Sequence, residues 1–155
     1  MPTPNFNLVT ELQTLTRRDF PVADTTALSP TSANPLVDGE FLELNSSYQL
    51  ARGSGTGTAL VVFPVHTERG RYDTQALGKV NVLFAGQYEA ETYVVDTTSL
   101  VVGSALMVGD VTYGGVANRR GLKLAVSTGA IVGYVTRLPG NGLVRYLHMA
   151  NVTKP

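Results

Sequence analysis

The sequence predicts an all-β protein, a small antiparallel β-barrel or sandwich carrying an extended, partly helical N-terminal arm. Three observations lead there. From Leu36 onward apolar residues recur with a period of two and are rich in β-branched types, the pattern of strands with one buried face. These runs are short and separated by glycine-bearing breakers, with no helical stretch between them, which favours an antiparallel barrel or sandwich over βαβ units. Residues 1–35 lack the alternation and contain Pro21 and Pro30, so the chain divides into an arm, 1–35, and a β-domain, 36–155.

The arm comes first. Leu8, Leu12 and Leu15 recur at i, i+4 and i+7, which predicts a short helix of about three turns, although its threonines are mediocre helix formers. Beyond it, Pro21 to Pro30 reads as extended chain. Phe6, Leu8, Leu12, Leu15, Phe20 and Leu28 are too apolar for a free tail. Burying each large apolar side chain stabilises by about 1.5–3 kcal/mol, whereas ordering each residue's backbone costs about 1–2 kcal/mol. Six such side chains cannot order this segment by local contacts, so it is expected to lie on a ready-made surface, that of a neighbouring subunit or of a larger shell, with Phe6, Leu8, Leu12, Leu15 and Phe20 as contacts.

The β-domain opens at the turn Val37-Asp38-Gly39, followed by EFLEL at 40–44. Further strands are expected in TALVVFPV (58–65), KVNVLFA (79–85), YEAETYVVD (88–96) and SALMV (104–108). GLKLAV (121–126), AIVGYVTRL (130–138) and GLVRYLHM (142–149) complete the set. The clearest hairpin signal is Leu138-Pro139-Gly140-Asn141-Gly142, because Asn-Gly suits the positive φ of a tight turn.

Composition narrows the function. The chain of 155 residues fits one domain with a real core. Charged residues are only 15% and the net charge is zero, so no clustered positive field offers itself to nucleic acid. A surface so poor in charge favours contact with other chains. Cysteine is absent, which removes disulfides, thiolate metal sites and thiol nucleophiles. No signal-peptide pattern or membrane-length apolar run is visible, so the chain is expected in the cytosol or within a larger assembly that leaves it.

Chemistry-bearing groups are sparse. His66 and His148 are the two histidines, and either Glu68 or Asp73 would pair with one as a general base. No nucleophile stands at a recognisable spacing, so both are expected at a surface or interface. RGSGTGT (52–58) lacks the Gly-Lys-Ser/Thr of a phosphate loop and the spacing of a dinucleotide fingerprint. Glu89 and Glu91 share one strand face and look outward together, unlike the facing carboxylates of a glycosidase. Arg119-Arg120, between glycines, reads as a solvated hairpin tip. The most polar stretch, His66 to Gly78, gathers Glu68, Arg69, Arg71 and Asp73 with charges of both signs, and we read it as a docking loop.

From about Asn34 the stretches NPLVDGEFLELNSSYQLARG, PVHTERGRYDTQALGKVNVLFAGQYEAET, LVVGSALMV and IVGYVTRLP carry a resemblance. On these residues the chain resembles capsid decoration (cement) or minor head structural proteins of tailed bacteriophages. It implies a non-enzymatic virion protein without cofactor or metal, made in the host cytoplasm and placed on the capsid surface. The implied partners are the major capsid protein and further copies of itself, as homodimer or homotrimer. Two other classes remain open on the residues: a carbohydrate-binding barrel using Tyr88, Tyr93, Tyr113, Tyr134 and Tyr146, and a small hydrolase built on His66 with Asp73 or Glu68.

Overall fold

The computed structural model describes residues 6–10, 16–24, 33–52, 62–64, 78–85, 87–126 and 131–149, and among them there is no helix. The strands are β1 (Phe6–Leu8), β2 (Thr16–Pro21), β3 (Phe41–Leu44), β4 (Leu50–Ala51), β5 (Val62–Pro64) and β6 (Lys79–Ala85). They are followed by β7 (Tyr88–Thr92), β8 (Ala105–Tyr113), β9 (Val116–Leu124), β10 (Gly133–Gly140) and β11 (Leu143–His148). The fold is all-β, as the period-two runs predict.

A six-stranded antiparallel sheet in the order β1-β7-β11-β10-β8-β9 curls into a half-barrel. Alternation explains its inner face. Tyr88, Ala90 and Thr92 of β7 and Val144, Tyr146 and His148 of β11 point inward and are buried, while Glu89, Glu91, Arg145 and Leu147 point out. The curl brings the chain after β7 round to the far edge, where Val95 forms a parallel bridge with Leu122 of β9. Leu122 N donates to Val94 O at 3.0 Å and Asp96 N to Leu122 O at 2.8 Å. This crossing requires a glycine at 121, since a Cβ there would stand 2.4 Å from the Val94 carbonyl oxygen.

Two smaller sheets, β2-β6 and β4-β3-β5, complete the described architecture. They build a second core from Phe20, Val22, Leu36, Leu42, Leu50, Val80 and Val82, while Phe41 and Leu83 join the half-barrel core. Successive residues of a strand face opposite ways. Phe41 and Leu42 on β3, and Val82 and Leu83 on β6, therefore serve different cores from adjacent positions. Both strands are walls shared by the two cores.

Two tight turns follow from their residues. Asn141 and Gly142, at φ 55° and 79°, close the β10–β11 hairpin, and Gly114 and Gly115, at 60° and 75°, close β8–β9. Positive φ at both loop positions suits the twist of the flanking strands.

The N-terminal segment departs from its expectation. Leu8 belongs to a strand rather than to the predicted helix, and Leu12, Leu15 and Leu28 lie outside the described residues. β1 pairs with β7 and β2 with β6, so these two strands of the N-terminal segment join the sheets. A strand of three residues is too short to show alternation, and its pairing partners are some 80 positions away in sequence.

Candidate functional site

A charged cluster sits where the half-barrel meets the smaller sheets, and Glu40 is its centre. The turn Val37–Glu40, closed by a 3.1 Å bond from Glu40 N to Val37 O, places Gly39 at φ 86°. Glu40 is delivered fully buried at the start of β3. Its carboxylate accepts from Arg52 Nε at 2.5 Å and from Arg119 Nη1 at 3.4 Å. It also accepts from the Arg120 backbone N at 3.3 Å and from Val37 N at 3.3 Å.

The arginines reach further. Arg52 Nη2 donates to Asn34 O at 2.8 Å, and Arg119 Nη1 to Pro35 O at 2.6 Å. Arg120 Nε donates to Arg52 O at 2.6 Å, and its guanidinium pairs with Asp110. Burial lowers the Arg120 pKa, opposed by the charges of Glu43 and Glu40, while burial raises Glu43, opposed by Arg120. A buried carboxylate persists only when its oxygens are paired, and these pairings supply that condition. The cluster ties the loop 33–40, the end of β4 and strand β9 into one joint.

This corrects the expectation for Arg119-Arg120. They lie within β9, not at a solvated tip, and Arg119 is only 4% exposed. Nothing in linear spacing relates position 40 to position 119. The one available signal was a glutamate between a turn glycine and an apolar run, in a chain with few charges.

The second polar group is aromatic. His148 of β11 stacks on Tyr88 of β7, its cross-strand partner, at 4.6 Å and 9°. Its other neighbour is Phe41 of β3, at 6.2 Å and 20°. The imidazole is thus held where β3 packs against the half-barrel. His148 is buried, so it is not the surface or interface histidine expected, and burial pushes its pKa down to about 4. Its Nδ1 is buried without a hydrogen-bond partner among the described residues. Burial raises the phenols of Tyr88 and Tyr146, and the neighbouring Tyr146 reinforces the rise at Tyr88.

Polar pairs lie on the outer face of the half-barrel. Glu91 Oε1 accepts from Arg145 Nε and Nη2 at 2.9 and 2.6 Å, and Glu89 Oε1 accepts from Thr136 Oγ1 at 2.7 Å. The two glutamates look outward together, as their i, i+2 spacing predicts. A shallow depression of about 410 Å³ is lined by Asp96, Thr97, Asp110, Thr112 and Asn118 among others. Its carboxylates already have partners, since Asp96 Oδ1 accepts from Thr98 N and Asp110 pairs with Arg120. Among the described residues no group of three or more His, Cys, Asp or Glu could hold a metal ion.

The residues nominated from sequence divide cleanly. Phe6 is buried in the half-barrel core with Leu8 packed against it, and Phe20 is buried in the second core. Phe6 and Phe20 thus have core roles in their own chain. His66, Glu68, Arg69, Arg71 and Asp73 lie outside the described residues, as do Leu12 and Leu15. Tyr88 and Tyr146, two of the tyrosines considered for a carbohydrate site, are core residues. No protein-family profile, curated protein or solved structure matches the chain.

Proposed function

We propose that this protein is a structural component of a tailed-phage capsid, binding the outside of the shell and stabilising it through contacts between subunits. The observation that carries the reading is the curled antiparallel sheet. It is the small β-barrel type of core that the resemblance from Asn34 onward implies, in a chain with no net charge. The polar clusters support it further, because the described ones are engaged in holding strands together. In this reading the protein is made in the host cytoplasm, acts without cofactor or metal, and has the major capsid protein and its own copies as partners. The stretch His66 to Gly78 is its docking loop, with Arg69 and Arg71 facing carboxylates of another chain.

Mixing the purified protein with assembled shells of the major capsid protein tests this. The expected result is saturable co-sedimentation at a fixed stoichiometry and a higher melting temperature for the shells. The double reversal Arg69→Glu/Arg71→Glu should weaken sedimentation while leaving the circular dichroism of the free protein unchanged. Shells that pellet without the protein at every ratio would overturn the proposal.

A further inference from the structure

The described asparagines differ sharply in how the fold holds them. An asparagine loses its side-chain amide when the backbone nitrogen of the next residue attacks its Cγ. Two features decide whether this happens: the bulk of that next residue, and the freedom of the two groups to meet. Asn34 precedes Pro35, which has no N–H to lose. Asn7 and Asn81 precede Leu8 and Val82 inside paired strands, where the ladder fixes the backbone. Asn118 is followed by Arg119, which is buried and paired with Val111. Asn45 has a small successor, Ser46, but its Oδ1 accepts from Ser47 N and Gln49 N, both at 2.9 Å, and the side chain is pinned.

Asn141 is unlike all of these. It is the one asparagine of the sequence that is followed by glycine. Both residues are exposed at the tip of the β10–β11 hairpin, beyond the pair Gly140–Leu143 that closes it. Among the described residues neither the Asn141 amide nor Gly142 N has a hydrogen-bond partner. Space is open as well, since a Cβ built on Gly142 would meet nothing within 4 Å. Lacking a Cβ, glycine leaves its nitrogen unshielded and lets the turn rotate. Asp38-Gly39 is the contrast, because an aspartate before glycine can close the same ring. There Gly39 is buried, a Cβ would stand 2.9 Å from Thr92 Oγ1, and a bond from Glu40 N to Val37 O locks the turn.

We propose that Asn141 is a self-modification site, at which the folded protein loses the side-chain amide to a succinimide that opens to aspartate and isoaspartate. Gly142 N gives its proton to hydroxide and bonds to Asn141 Cγ. The Cγ–Nδ2 bond breaks, and the nitrogen takes a proton from water and leaves as ammonia, closing a five-membered imide. Water then adds to one imide carbonyl and the ring opens there. The net exchange is one water taken up and one ammonia released, with no oxidant or cofactor. Opening at Cγ gives aspartate; opening at the main-chain carbonyl gives isoaspartate, whose backbone runs through the side chain. Either product carries a carboxyl of ordinary pKa about 3.9, so a chain with no net charge gains a negative one. Isoaspartate also adds a carbon to a two-residue loop whose ends are fixed by Gly140 and Leu143, so that pair should fray while Val135–Tyr146 holds.

Ageing the full folded chain at mildly alkaline pH, beside a sample in denaturing guanidinium, tests this. Trypsin releases residues 138–145 as one peptide and 19–52 as another, the second containing Asn34, Asp38 and Asn45. In the folded sample the 138–145 peptide should lose its amide as a first-order process, faster as pH rises, and split into separable aspartate and isoaspartate forms. Peptide 19–52 should stay intact there and change only in guanidinium. On isoelectric focusing the aged protein should gain an acidic band that comigrates with fresh Asn141→Asp. Asn141→Gly keeps a favoured residue pair for the same turn, so it should melt like the wild type and form no such band.

A folded sample whose 138–145 peptide keeps its amide would overturn the proposal, as would one in which it changes no faster than 19–52. An acidic band that persists in Asn141→Gly would place the modification elsewhere and have the same effect.

Discussion

At the residue scale, buried polar groups decide the most. Glu40 is fully buried with guanidinium partners on two elements, so Glu40→Gln removes the charge that Arg52 and Arg119 face while keeping the shape. Breaking a buried pair from one side costs about 3–5 kcal/mol, because the remaining charge is left uncompensated. Denaturant unfolding should show a loss of that size for the variant. His148 gives a second expectation. Its folded pKa, about 4, lies below the ordinary 6.5, so protonation favours the unfolded chain. The stability that depends on neutral His148 is complete above about pH 6.5 and falls as pH drops toward 4, by roughly 3 kcal/mol in all. His148→Phe should flatten the stability profile across that window. A wild-type profile no steeper than the variant's would refute the role given to burial.

At the element scale, the short strands matter beyond their length. Phe6 of β1 and Phe20 of β2 fill two different cores. Deleting residues 1–24 would open both and expose the pairing edges of β7 and β6. Loss of each phenylalanine alone is worth about 3–5 kcal/mol. The truncated chain should therefore lose its cooperative thermal transition, the opposite of what an appended arm would show. The crossing at β9 yields a sharper case. Gly121→Ala places a methyl group against the Val94 carbonyl, and backbone there cannot retreat without releasing the Val95–Leu122 bridge. Destabilisation of about 1–3 kcal/mol is expected from such overpacking, with faster amide exchange at Leu122 and Asp96 as the local sign.

At the scale of the whole molecule, the two cores should unfold together. Phe41 and Leu42 are adjacent, fully buried, and assigned to different cores, and Val82 and Leu83 repeat the arrangement on β6. Neither core can open without stripping a wall from the other. Phe41→Ala and Leu42→Ala should each cost about 2–5 kcal/mol and shift a single transition. Hydrogen exchange at Val82 and Val144, one in each core, should slow and quicken in parallel. Separate transitions for the two amides would show that the cores are independent.

By itself the sequence determined the strand class, the turn at Gly39, the hairpin at Asn141–Gly142 and the outward face shared by Glu89 and Glu91. Each is written in neighbouring residues, as alternation, a positive-φ residue type or an i, i+2 spacing. It could not determine that Arg119 and Arg120 are held inside the fold by Glu40, that His148 is sealed between Tyr88 and Phe41, or that Phe6 and Phe20 belong to their own chain's cores. Those outcomes join positions 60 to 107 residues apart, from Tyr88–His148 (148 − 88) to Phe41–His148 (148 − 41). Whether a polar or apolar side chain is buried depends on which strand arrives beside it. In an antiparallel half-barrel that is fixed by strand order and curl, which local patterns do not encode.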